Sequence, residues 1–128
     1  MSHEQTLDEI AKAMDAHGAW KLKLRAAIMT GNSDVSPDTA RSDDHCAFGQ
    51  WLQSASASPE MRASPYFQSV RQLHAEFHRS AGDVLRHALD KNTDQANTLL
   101  SGSFSTSSHV LMVELTKWKR ELTAARAA

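Results

Sequence analysis

A chain of 128 residues, 41% hydrophobic and 23% charged, is the size of one domain and can bury a core without staples, so it reads as globular and not as disordered. A net charge of −1 implies no strongly basic face, which argues against nucleic acid and anionic membrane as partners. No apolar run reaches the ~18 residues of a membrane span, the opening MSHEQTLDEI lacks the apolar stretch of a secretory signal, and a single cysteine, Cys46, forbids an internal disulfide and suits a reducing cytoplasm.

Strand-like alternation is nearly absent, whereas helical spacing runs throughout, so the fold class is all-α. Leu7, Ile10, Met14, His17, Leu24 and Ile28 predict a first helix over about 5–30, stopped by Gly31-Asn32. The polar segment 31–42, with Pro37, reads as a loop. Asp43-Asp44 offer an N-cap and favourable charge to a second helix over about 44–57. Ser and Pro then punctuate 54–65. A third helix over about 64–90 carries Tyr66, Val70, Leu73, Phe77, Ala81, Val84, Leu85 and Ala88, a broad apolar face suited to the middle of a bundle. Asn92-Thr93-Asp94 restart the chain for a short helix over about 93–101, and Gly102 breaks it. The last helix, about 103–125, aligns Phe104, Ser107, Leu111, Leu115, Trp118 and Leu122. Short connections predict an antiparallel four-helix bundle with one extra short helix, in a single domain spanning 1–128 with its core over about 5–122.

Seven histidines make their distribution informative. His74 and His78, in HAEFH, are one turn apart and offset by about 40°, so they share a side of the third helix beside Leu73, Phe77, Ala81 and Leu85. Buried imidazoles need partners, and a metal ion satisfies both at once. His17 falls in the apolar row of the first helix. Alone it reads as a hydrogen-bonded core histidine; beside His74 and His78 it reads as a third ligand. Cys46 lies in the first turn of the second helix, where the dipole lowers a thiol's pKa. Alone it is a small buried hydrophobe beside Phe48, Trp51 and Leu52; near three imidazoles it is a thiolate ligand. Three neutral imidazoles and one thiolate suit a tetrahedral Zn²⁺ inside the bundle, closed by four protein ligands. His3, His45, His87 and His109 fit that site poorly and read as solvated.

Two further features are weighed beside the metal. HAEFH superficially matches the zinc-hydrolase helix H-E-x-x-H, but Glu76 lies about 200° around from His74, away from the metal. Zinc hydrolysis is therefore a remote alternative, and catalytic residues are expected to be none. Val110, Met112, Val113 and Trp118 extend apolar surface on the last helix; core packing explains most of it, and a dimer seam is a second use.

Four stretches carry a family resemblance: HGAWKLKL (17–24), DDHCAFGQWL (43–52), HAEFHRSA (74–81) and FSTSSHVLMVEL (104–115). Together they resemble the chemoreceptor zinc-binding domain, CZB, over nearly the whole chain. The resemblance implies that His17, Cys46, His74 and His78 are the zinc ligands and that Trp20, Lys21, Gly49 and Trp51 are framework positions. Gln50 stands where the family commonly has Lys. It further implies a bacterial, cytoplasmic domain that often dimerises, placed at the end of a chemoreceptor or beside a cyclic-di-GMP synthesis domain (a diguanylate cyclase). Such domains report zinc, and some respond to hypochlorous acid through the zinc-bound cysteine. The function expected is thus a zinc or oxidant sensor signalling to a partner chain, not an enzyme. The alternative is a zinc-stapled dimerisation module. A free-standing protein and one domain of a longer chain are equally consistent with the sequence.

Overall fold

The computed structural model describes residues 3–56 and 58–127, and among them there is no strand. Among the described residues eight α-helices form a bundle: α1 (His3–Gly18), α2 (Trp20–Thr30), α3 (Pro37–Arg41), α4 (Ala47–Ala55), α5 (Pro59–Ala63), α6 (Pro65–Leu89), α7 (Thr93–Leu99) and α8 (Ser105–Ala127). A wider π-type turn, Leu100–Phe104, joins α7 to α8 and contains the non-helical Gly102. The all-α bundle with a buried His/Cys cluster agrees with the sequence expectation.

α6 is the central element. Ser64 caps it by accepting from the Phe67 N–H, and Pro65 occupies the first turn, where no N–H is needed. Its buried residues form a broad face of nearly half its circumference, because α2, α3, α7 and α8 all pack on it. Phe67, Val70, Phe77 and Leu85 of α6 meet Leu24 of α2, Phe48 and Leu52 of α4, and Leu111, Leu115 and Trp118 of α8 in one apolar core. Each such side chain contributes roughly 1.5–3 kcal/mol by leaving water.

The structure corrects several sequence expectations. The predicted first helix is two helices meeting at Ala19, although the Ala19 N–H to Asp15 and Lys23 N–H to Ala19 bonds carry the spiral through the joint. The predicted loop 31–42 contains α3, and the punctuated stretch 54–65 contains α5. Both begin with Ser-Pro, the serine accepting from the N–H three residues on. Asp43 and Asp44 do not cap α4; Cys46 itself does. Trp118 is 1% exposed, packed tilted against Trp51 and edge-on to Phe67, and so belongs to the core and not to a seam. The side chain of His3 lies outside the described residues. His45 and His109 are exposed as expected, whereas His87 is half-buried and accepts from the Asn92 side chain.

Candidate metal centre

Each of the four candidate ligands reaches the same point by a different local device. His74 and His78 need only the α6 spiral, which stacks them one turn apart with their Nε2 atoms separated by 3.1 Å. His78 is then oriented by α3. A helix of five residues leaves its last carbonyls without intrahelical donors, and the Ala40 carbonyl accepts from His78 Nδ1 at 3.0 Å. Arg41 of α3 pairs with Asp83 of α6, and Gly82 makes the close approach feasible, since a Cβ there would lie 1.9 Å from Arg41 Cγ.

His17, at the end of α1, donates from Nδ1 to the Ala13 carbonyl one turn back at 2.7 Å. Its ring sits edge-on to Phe77 and Phe48, with centroids 5.0 and 6.0 Å away. Cys46 arrives from the loop before α4. Its extended backbone (φ −90°, ψ 158°) makes it the N-cap, and its Sγ accepts from the Gly49 N–H at 3.3 Å. That loop lies flat on the first turn of α4: a Cβ at Gly49 would fall 1.6 Å from the Asp43 carbonyl oxygen. Gly49 is therefore the residue that lets the sulfur reach the bundle interior.

The four donor atoms converge. His17 Nε2 is 3.1 Å from His74 Nε2 and 3.3 Å from His78 Nε2. Cys46 Sγ is 3.3 Å from His74 Nε2, 3.5 Å from His78 Nε2 and 4.0 Å from His17 Nε2. A tetrahedral zinc with ordinary Zn–N and Zn–S bonds has N···N edges of about 3.3 Å and N···S edges of about 3.6 Å. The observed tetrahedron has those dimensions, and all four atoms lie within 4.8 Å of one another.

Hydrogen bonding alone does not account for this arrangement. Nδ1 of His17 and of His78 carries the ring proton toward a carbonyl, so both Nε2 atoms present bare lone pairs. At most one proton on His74 Nε2 and one on Cys46 remain to serve six short contacts. Buried lone pairs facing each other repel; a divalent cation at their centre satisfies all of them. His74 differs from the other two imidazoles, because its Nδ1 is buried with no hydrogen-bond partner.

The electrostatics agree. Burial lowers the pKa of His17 to about 4 and that of His74 to about 2, and also lowers that of His78, so all three rings are neutral and ready to ligate. Burial also pushes the Cys46 thiol up, against the lowering effect of the Gly49 and Phe48 N–H groups. The helix terminus therefore does not by itself produce the thiolate that the sequence suggested; a cation held there would favour it by displacing the thiol proton. Glu76 is exposed, as its angular position predicts.

The sequence did not reveal the two carbonyls, of Ala13 and Ala40, that fix the imidazole tautomers. The only available signal for the second was Ser36-Pro37, a cap-and-first-turn pair that marks α3.

The family model for the chemoreceptor zinc-binding domain, CZB, matches residues 17–85, more than half of the chain and the whole span from His17 to His78. No curated protein and no solved structure matches. The chain belongs to the CZB family, a regulatory zinc-binding family and not a family of enzymes, and zinc is its cofactor.

Proposed function

We propose that this CZB domain is a zinc-responsive regulatory module in which His17, Cys46, His74 and His78 hold one Zn²⁺, and that it passes its metal or oxidant state to a partner chain in bacterial chemotaxis or cyclic-di-GMP signalling. One observation carries the reading: three imidazole nitrogens and one sulfur, from α1, α4 and α6, form a tetrahedron of zinc dimensions around a point where their lone pairs meet. Zinc, when bound, supplies positive charge that holds three helices to one centre. The chain supplies aromatic neighbours, Phe48, Phe77 and Trp20, and the tautomer-fixing carbonyls.

The regulatory step falls on Cys46. It is half-buried, while the three histidines are buried, so it is the donor most open to solvent. Hypochlorous acid would transfer Cl⁺ to the thiolate, releasing hydroxide; water then displaces chloride and leaves the sulfenic acid. The soft anionic donor is thereby lost and α4 is released from the cluster. The domain is proposed to work in the cytoplasm as a homodimer, as a single unit over about 5–122 built on one core. No described helix is long and apolar enough to cross a membrane.

A closed, four-donor site also suits a permanent zinc staple within a dimerisation module. Metal analysis decides the first question: purified protein should hold one zinc per chain, bound through three nitrogens and one sulfur by X-ray absorption. A protein that is metal-free and indifferent to chelator would refute the ligand set. Chelation or hypochlorous acid that shifts partner binding supports the sensor; tight zinc with no such shift supports the staple.

A further inference from the structure

The N-terminal arm formed by α1 and α2 has two opposed faces. Ile10, Ala13, His17, Leu24 and Ala27 point into the bundle and are buried. On the other side Ala11, Asp15, Gly18, Leu22, Arg25 and Met29 recur at alternating spacings of four and three, and every one is exposed. The backbone hydrogen bonds across Ala19 keep this stripe continuous through the joint. Leu22 at 68% and Met29 at 86% are the two most exposed large hydrophobic side chains among the described residues. A sustained four-three stripe is the pattern of a helix that packs lengthwise on another helix.

We propose that this stripe is the seam of a two-fold symmetric, antiparallel homodimer. The register places Leu22 over Gly18 of a second copy, Met29 over its Ala11, and Asp15 against its Arg25. The seam gives a surface to the dimer of the regulatory reading, and it rests on that reading only for the existence of a second copy.

Shape and charge both select a second copy as the occupant. The large apolar side chains lie in α2 and the small ones in α1 and at its end, so two copies running in opposite directions set large on small at the Leu22–Gly18 and Met29–Ala11 layers. A Cβ built at Gly18 meets nothing within 4 Å, so the notch opposite Leu22 is empty of the chain's own atoms. α1 carries Glu4, Asp8, Glu9 and Asp15 against Lys12 alone, while α2 carries Lys21, Lys23 and Arg25 and no acid. Antiparallel pairing lays the acidic helix on the basic one twice; parallel pairing sets like on like. Asp15 and Arg25 have no ion-pair partner among the described residues, which leaves both for the seam. A symmetric interface of this isologous kind uses one surface for both copies. The α8 alternative is poorer. Val110 and Val113 are 40% and 38% exposed, and His109, Lys117 and Arg120 line the same surface as Val113. The nearby acid, Glu114, is engaged with Ser69, so a second copy laid there meets its own charge.

Sedimentation equilibrium on the zinc-loaded full chain tests the seam, with zinc per chain measured on each sample. The wild type should dimerise. Leu22→Glu with Met29→Glu should raise the dissociation constant by about 100-fold or more, equivalent to about 2.7 kcal/mol, whereas Val113→Glu should leave it unchanged. Asp15→Arg and Arg25→Asp should each weaken the dimer by about tenfold, and the double swap should recover most of the loss, which mere misfolding would not do. Gly18→Leu should weaken dimerisation with helix content intact. A monomeric wild type, a dimer sensitive to Val113→Glu but not to the Leu22/Met29 pair, or a charge swap without recovery would overturn the seam. Loss of zinc with dimers intact would instead strike only the ligand set.

Discussion

The two halves of the metal centre are built on opposite principles. His74 and His78 ride on a 25-residue helix whose buried face is apolar along its length, so the protein positions them whether or not metal is present. Cys46 stands at the start of a nine-residue helix that Phe48, Leu52 and Ala55 anchor in the core, and its sulfur is held by one N–H and by the close seating of the loop on Gly49. An isolated helix that short is not stable by itself. One half of the site therefore rides on a long scaffold and the other on a short one with fewer core contacts, which a bound metal would help to secure.

The largest test of that difference is removal of the metal. A structural zinc contributes ~10 kcal/mol or more near neutral pH, and here the loss should be unequal. Chelation is expected to strip hydrogen-exchange protection from the amides of α4 while those in the middle of α6 stay protected. Cys46→Ala should reproduce that pattern without chelator, and His78→Ala should abolish stoichiometric zinc. Equal loss of protection in α4 and α6 would show that the two halves are one cooperative unit and would break the comparison.

The histidine half was legible in the sequence, and of the other half Cys46 and its helix were, but not the contacts that seat them. The i, i+4 spacing of two histidines inside a long apolar pattern fixes their common side by helix geometry alone. His17 was legible for the same reason: it occupies a position of the apolar row. The device that steadies His78 depends on a short helix, and α3 and α5 are too brief for periodicity to declare them, whereas α4 falls inside the helix expected over about 44–57. Ser36-Pro37 and Ser58-Pro59 carry the signal for α3 and α5, but the same pairs also occur in plain turns, so the local chemistry reads as a loop until tertiary packing selects a helix. The aspartates before Cys46 are good caps by type, yet the sulfur takes that place because the Gly49 N–H points at it. Tyr66 likewise fits the apolar row by spacing, but its neighbour Phe67 is the residue fully buried.

Acid should act next most strongly, and on the histidine side. In the folded, zinc-free chain His17 and His74 stay neutral to about pH 4 and about pH 2, whereas in the unfolded chain they protonate near 6.5. The unfolded state therefore binds more protons below 6.5. The contribution of each ring is fully present above that pH and is lost as pH falls, at about 1.4 kcal/mol per pH unit per group. The loss for His17 levels off near pH 4, and that for His74 continues lower. Urea melts of the chelated protein from pH 7.5 to 4.5 should show this fall, and His74→Gln should make it shallower. A flat profile would mean that these rings are already charged, or already solvated, without metal.

On the Cys46 side, Gly49→Ala sharpens the comparison. Its Cβ collides with main-chain atoms of Asp43, which cannot swing away as a side-chain tip can, so the loop must lift from α4 and draw the sulfur outward. A destabilisation of about 3 kcal/mol is expected, with zinc affinity lowered and the visible spectrum of a cobalt-substituted site losing thiolate-to-metal intensity. Gly18→Ala, with open space at its Cβ, serves as the control and should leave the metal site unchanged.

The smallest expected effect falls on the link between the halves. Ser36 caps α3 through the Thr39 N–H, and α3 exists to the site as one carbonyl, that of Ala40. Ser36→Ala should cost about 1 kcal/mol of stability. If α3 frays, His78 Nδ1 loses its acceptor, and loss of such a partner lowers metal affinity by roughly tenfold or more. The Arg41–Asp83 pair and the seating of Arg41 on Gly82 hold the same helix from its other end, so the effect should be smaller in Ser36→Ala alone than when Arg41→Ala is added. A competition titration against a zinc chelator measures both steps. If neither variant changes zinc affinity although both lower stability, α3 serves packing alone, and the orientation of His78 comes entirely from α6.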